Sequence, residues 1–232
     1  MQKHFYNFAN EQYYRGILSF VYERLLPRFF KLYYFAIVTA LLLLSACSTL
    51  PTQEYQPIDV ANTQEANNWE LQGKIAFKSA TDKFSTNLYW FHHLQGNELR
   101  LTTPLGTNVL TLQNVQGLAT LEVDGKTYHD NNAQALLEGV SGITIPFSNI
   151  PLWLTGRIGA NDKVISYNSA GQIQQFTSPD AQSDWKVSFI NWQHQSGALL
   201  PRQLKIERND VQIKIQTNLW QALMPKQKLK CE

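Results

Sequence analysis

Trp69-Glu70-Leu71-Gln72-Gly73-Lys74-Ile75-Ala76-Phe77 alternates, almost residue by residue, between side chains that avoid water and side chains that seek it. Leu71, Gly73, Ile75 and Phe77 fall on one face, while Glu70, Gln72, Lys74 and Lys78 fall on the other. Successive side chains of a strand point to opposite faces, so this period of two predicts a half-buried β-strand. The period returns in Phe84, Thr86, Leu88 and Trp90, in Leu99, Leu101 and Thr103, with less contrast in Val109 and Thr111, and in Ala119, Leu121 and Val123. Asp124-Gly125 then supplies a residue pair that tight hairpins favour. Further strands are expected at 172–177, 185–192, 204–208 and 211–216, with Asn209-Asp210 turning between the last two. The fold class is therefore mainly β: an antiparallel run closed, or half closed, into a barrel.

The middle of the chain breaks this pattern. Asp130 can cap a helix whose apolar members Ala133, Leu136, Leu137 and Val140 recur at helical spacing before the breaker Gly142. Ser148 can cap a second, with Pro151 near its start, Ile150, Leu152 and Trp153 on its apolar side, and Gly156 beyond its end. Ile143, Ile145 and Phe147 form an apolar connection between them. A helical insertion at about 130–156 inside a β-meander has to lie across the sheet or its mouth, because its apolar faces need a surface to cover.

Upstream, residues 32–44 form an apolar run whose one polar member is Thr39, preceded by Arg24, Arg28 and Lys31. That basic-then-apolar order is the order of a secretory signal, and the run falls short of the roughly 20 apolar residues a spanning helix needs. It ends in Leu44-Ser45-Ala46-Cys47, which resembles the lipobox of bacterial lipoproteins. The resemblance implies that residues 1–46 are a signal peptide and that Cys47 is lipidated and becomes the first residue of the mature chain. Ser48, rather than aspartate, follows it, which favours the outer membrane over retention in the inner one. Met1 to Phe20 is longer than a signal requires, and a translation start near Val21 or Leu25 would account for it. Residues 47–62, with Pro51 and Pro57 among polar neighbours, are expected to form a flexible tether reaching on the order of 50 Å, with a short helix around 61–68. Residues 63–221 are the folded domain, and 222–232 a polar tail.

Five of the twenty basic and two of the eighteen acidic side chains lie in residues 1–46, so the remainder carries a formal charge of about −1. No basic stripe remains to argue for nucleic acid. Cys47 and Cys231 are the only cysteines, and a lipidated Cys47 cannot pair, which removes disulfide and cysteine-metal readings. No Gly-rich phosphate loop is present, and no cofactor is expected. An envelope hydrolase would need a nucleophile, a base and an orienting acid. His92, His93, His129 and His194 are scattered, His92 and His93 point to opposite strand faces, and Gly139-Val140-Ser141-Gly142 lacks the nucleophile-elbow spacing. Neither an enzyme nor a metal site is expected.

From about Trp69 to Trp220 the chain resembles the LolB family, outer-membrane receptors that accept lipoproteins from the periplasmic carrier LolA. The first strand quoted above, Leu88-Tyr89-Trp90, Thr103-Pro104-Leu105-Gly106-Thr107, and the stretch from Ile143-Thr144-Ile145-Pro146 through Leu152-Trp153-Leu154 carry the likeness. It implies an incomplete antiparallel barrel with a helical lid, lipid-anchored and facing the periplasm. Its hollow would take the acyl chains of a client lipoprotein, with LolA and outer-membrane phospholipid as partners and a monomeric state. Leu71, Ile75, Phe77, Leu88, Trp90, Leu99, Leu101, Leu121 and Val123 are the candidate lining, with Leu136, Leu137, Ile145, Phe147 and Trp153 from the lid. Proline second and glycine fourth in Thr103-Pro104-Leu105-Gly106 suit a type I turn that holds Leu105 at its tip. The resemblance implies that Pro104, Leu105 and Gly106 form a loop entering the membrane. A structural lipoprotein that scaffolds outer-membrane assembly is the alternative reading.

Overall fold

The alternation around Leu71 is realised as strand β2 (Asn68–Lys78), the middle of one large antiparallel sheet. The computed structural model describes residues 53–226; the signal, Cys47 and Cys231 lie outside them. After β1 (Tyr55–Ile58) and a 3₁₀ turn at Thr63–Glu65 come β2, β3 (Lys83–His93), β4 (Gly96–Thr102), β5 (Asn108–Val115), β6 (Leu118–Val123) and β7 (Lys126–Asp130). Helices α1 (Ala133–Ser141) and α2 (Ile150–Leu154) follow, then β8 (Lys163–Tyr167), β9 (Ile173–Ser178), β10 (Trp185–Gln195), β11 (Ala198–Arg208) and β12 (Val211–Pro225). The path runs β7-β6-β5-β4-β3-β2-β12-β11-β10-β9-β8, with β1 added to β12. β7 and β8 end the path without pairing to each other, so the barrel is half open, as expected.

Several expectations need correction. The 47–62 tether is shorter than its polarity suggested, because Tyr55 pairs with Pro225 and Ile58 with Ala222. At the other end β12 runs through Pro225, with Ala222 fully and Leu223 largely buried, so the polar tail does not begin at 222. In β5 the inward residues are Leu110 and Leu112, not Val109 and Thr111; Val109 is exposed. A register shift between Leu101 and Thr102 leaves Val109 as the extra residue of the ladder, between the Leu110 and Asn108 pairings. Asn132, not Asp130, caps α1, its side chain accepting from the Gln134 and Ala135 N–H groups while Asp130 accepts from Asn132 N–H. Asn149 stands at the cap position of α2, and Val140 faces solvent. The expected helix at 61–68 is the single 3₁₀ turn.

Gly73 marks a close backbone approach between β2 and β12. A Cβ there would stand 2.0 Å from the Gln216 carbonyl oxygen, beside the bulge between Thr217 and Leu219. Asp124 and Gly125, at φ 52° and 71°, make the tight β6–β7 turn their pairing predicted.

Candidate functional site

Pairing across the sheet turns the alternation of each strand into transverse rows of inward side chains. One row runs Tyr128, Leu121, Leu112, Leu99, Trp90, Leu71 and Trp220. The next holds Val123, Leu110, Leu101 and Leu88 beside Gly73. Further along the strands Ile75 meets Ile215, and Phe77 meets Phe84 and Ile213. The sequence candidates therefore share one inner face. Leu71, Phe77, Leu88, Trp90, Leu99, Leu101 and Leu121 are buried there, while Ile75 and Val123 are partly buried against the same cluster.

The other half of that face comes from strands whose residues the candidate list omitted. Phe176, Val187, Phe189, Leu204, Ile206, Ile213, Ile215 and Trp220 are all buried in the same cluster. Alternation within the expected strands was the signal that could have found all of them but Trp220, which lies beyond the expected end of the last strand at 216.

The segment from α1 to α2 covers the inner face. Leu136, Leu137, Phe147 and Trp153 are buried against the sheet, and Ile145 packs there half-buried. Phe147 stacks on Trp90, centroids 5.2 Å apart and planes 17° from parallel. From Trp153 an aromatic chain crosses to the far strands: Trp153 meets Phe176 edge-on at 5.7 Å, Phe176 meets Phe189 at 5.3 Å, and Phe189 meets Trp192 at 5.5 Å.

Among the described residues, polar contacts fasten this lid chiefly at its margins. Arg208 donates from Nη2 to the Thr144 carbonyl at 3.3 Å and pairs through Nη1 with Asp180 at 2.9 Å. Thr63 Oγ1 donates to the Thr155 carbonyl at 2.8 Å, and Asn149 Nδ2 reaches Ser178 Oγ at 3.4 Å. Dispersion and area burial hold the centre.

Polar atoms of the interior divide into satisfied and unsatisfied. Asn97 Oδ1 accepts from Trp90 Nε1 at 3.0 Å and lies 2.8 Å from His92 Nδ1, and Trp153 Nε1 donates to Asp162 at 3.2 Å. The indole N–H groups of Trp185, Trp192 and Trp220 are buried with no acceptor among the described residues. His92 stacks on Trp69 and His93 on Phe91, so both histidines have packing roles. Burial, helped by His92, lowers the His93 pKa. On the outer face burial and the neighbouring Glu70 push the Tyr89 hydroxyl up to about 12.

Leu105 stands apart from the core. It is 96 % exposed at the tip of a turn that Gly106 N–H closes onto the Thr103 carbonyl at 2.9 Å. Thr107 N–H also donates to Thr103 Oγ1 at 3.1 Å, and Thr103 N–H to the Thr107 carbonyl at 2.9 Å. An aliphatic side chain is thus held in water by a braced turn.

A single open antiparallel sheet, apolar along its inner face and roofed by two short helices, defines the class of half-open β-barrels with a helical lid. A family model described as outer membrane lipoprotein LolB matches residues 67–220, and the chain belongs to that family. It is an outer-membrane lipoprotein of a receptor and chaperone family, not an enzyme. The outer-membrane lipoprotein LolB of Shewanella frigidimarina is 59 % identical over 198 residues, covering 85 % of this chain and 98 % of its own. That of Shewanella denitrificans is 55 % identical over 191 residues, covering 82 % and 94 %. Among solved structures, a LolA superfamily protein from Nitrosomonas europaea aligns at TM-score 0.43 and 6 % identity, over 67 % of this chain and 86 % of its own.

Proposed function

We propose that this chain takes up the acyl chains of a lipoprotein delivered by LolA between its inner face and its lid, and releases them into the outer-membrane bilayer to which Cys47 anchors it. The observation that carries the reading is the continuous apolar inner face under a lid fixed by polar contacts chiefly at its rim. In the form described here the lid side chains occupy that face, so uptake requires Phe147, Trp153 and their neighbours to move aside. Incoming acyl chains then replace one set of apolar contacts with another.

Energetics favour direct hand-over. Three acyl chains hold about 45 methylenes, and at about 0.8 kcal/mol each their removal from water is worth on the order of 35 kcal/mol. Reversible binding saturates near about 20 kcal/mol, so a client leaving through water would almost never leave. Passing the chains from one apolar enclosure to the next needs only a small difference at each step and no nucleotide. Leu105 enters the bilayer surface at the second exchange, a role consistent with its exposure.

The test is transfer itself. The domain starting after Cys47, mixed with lipoprotein-loaded LolA, acquires the client in a pull-down; a client that stays wholly on LolA refutes the reading.

A further inference from the structure

β1 fixes the place where the anchor leaves the body, and that place is far from Leu105. Glu54 pairs with Lys226 through backbone and side chain, and Tyr55 with Pro225. Register then carries Leu223 to Asn68, Trp69 to His92 and Asn87 to Thr102, the last residue before the Leu105 turn. Gln53 thus lies about ten residue levels from that turn, roughly 33 Å at the rise of a strand, at the opposite end of the sheet. Five residues separate Cys47 from Gln53, and the six Cα-to-Cα steps between them span about 20 Å when fully extended. A body standing on Leu105 with its strands upright would hold Gln53 beyond that reach.

The side that spans these two points has the chemistry of a membrane interface. Because Leu71, Leu88, Trp90 and Leu99 point inward, Gln72, Lys74, Tyr89, Phe91 and Arg100 point outward. Tyr55 meets Phe91 edge-on at 5.1 Å there, and Arg100 lies 5.4 Å from the Tyr89 ring centre. The acidic groups among them are engaged: Glu70 accepts from the Tyr89 hydroxyl at 3.2 Å and Glu98 pairs with Arg100. At the rim Lys78 and Lys83 face each other directly, a like-charge pair that anionic headgroups would relieve. Aromatic rings with lysine and arginine are the side chains that favour the headgroup layer.

We propose that the anchored protein lies on the outer face of β2, β3 and β4 against the phospholipid headgroups, its strands inclined by no more than about 40° to the bilayer plane. This rests on the reading that Cys47 is lipidated and that Leu105 enters the same bilayer.

The experiment places an environment-sensitive fluorophore on single introduced cysteines in the full lipidated chain carrying Cys231→Ser. The positions are Gln72→Cys on the proposed face, Lys186→Cys on the outer face of β10, and Leu105→Cys. Each is bound to phosphatidylethanolamine and phosphatidylglycerol vesicles containing brominated lipid as quencher. Quenching at both Leu105 and Gln72, with Lys186 unaffected, is expected. Quenching at Leu105 without Gln72 overturns the orientation and leaves the membrane role of Leu105 intact. Equal quenching at Gln72 and Lys186 also overturns the orientation, because no side is then preferred. Loss of quenching at Leu105 overturns the role of that loop, and the orientation with it.

Discussion

Arg208 donates to the carbonyl of Thr144, 3.3 Å away, and so ties β11 to the connection between the two lid helices. The same guanidinium lies 4.1 Å from the centre of the Trp185 ring and pairs with Asp180, leaving its side chain 6 % exposed. One cation therefore fixes a lid residue, a loop residue and an indole of the sheet.

Arg208→Met keeps most of the apolar stem and removes all three contacts. Because Asp180 retains some access to water, the loss belongs at the low end for a broken buried pair, about 3 kcal/mol. Amide exchange at residues 143–147 should accelerate more than exchange in β2, and uptake of a fluorescent acyl probe should speed up. Unchanged exchange at the lid would remove Arg208 from its fastening.

Trp90 and Trp220 sit in the same transverse row but differ in one respect: Trp90 Nε1 donates to Asn97, whereas Trp220 Nε1 has no acceptor among the described residues. Trp90→Phe breaks a buried hydrogen bond and Trp220→Phe breaks none. Urea unfolding should find Trp90→Phe the more destabilising by about 1–3 kcal/mol. Equal losses would show that the two N–H groups are equally satisfied.

Leu105→Glu changes a residue with almost no contact to the body. Its unfolding midpoint should match the parent within about 0.5 kcal/mol, as for most exposed sites. In reconstituted delivery the variant should accept lipoprotein from LolA and fail to pass it to vesicles. Full delivery would refute the role of the loop.

Much of this architecture was legible because inward and outward residues alternate in strands buried on one side. β1 and β8 escaped for the converse reason. Tyr55-Gln56-Pro57-Ile58 carries a proline and two exposed positions and becomes a strand only by lying along β12. In Lys163–Tyr167 the exposed Ile165 and Tyr167 remove the contrast between the faces. Val109 was assigned inward because Val109, Leu110 and Leu112 are all apolar, which leaves the phase of the alternation open until pairing with Leu99 and Leu101 fixes it. Leu105 was legible from its turn residues together with the family pattern, whereas the Arg208 fastening joins residues 64 positions apart and has no local signature.

Tyr89 gives a pH signature. Its folded pKa, about 12, lies above the ordinary value of 10.0, so the unfolded chain loses this proton first as pH rises. Its contribution to stability is complete below about pH 10 and declines as pH rises from there towards about 12. Subtracting the phenolate absorbance of Tyr89→Phe from that of the parent should reveal a titration centred near the upper value. A difference curve centred near 10 would contradict the half-buried, Glu70-bonded hydroxyl.

Gly73→Ala should be among the most damaging single-carbon additions in the sheet. The added carbon would meet the Gln216 carbonyl at 2.0 Å, and neither strand can retreat without breaking the β2–β12 ladder. A loss of about 2–3 kcal/mol is expected by thermal unfolding. Gly139→Ala, inside α1 where an added carbon meets nothing within 4 Å, is the counterpart and should instead stabilise by about 0.5–1 kcal/mol.

The short clasp of β1 on β12 also governs how the molecule bears load. A pull through residue 53 runs along the axis of β1, so the rungs from Glu54 to Ile58 resist together in shear instead of parting singly like a zip. Drag on the body, as a carrier docks and withdraws, is thereby passed to the sheet near its middle strand and kept away from the roof.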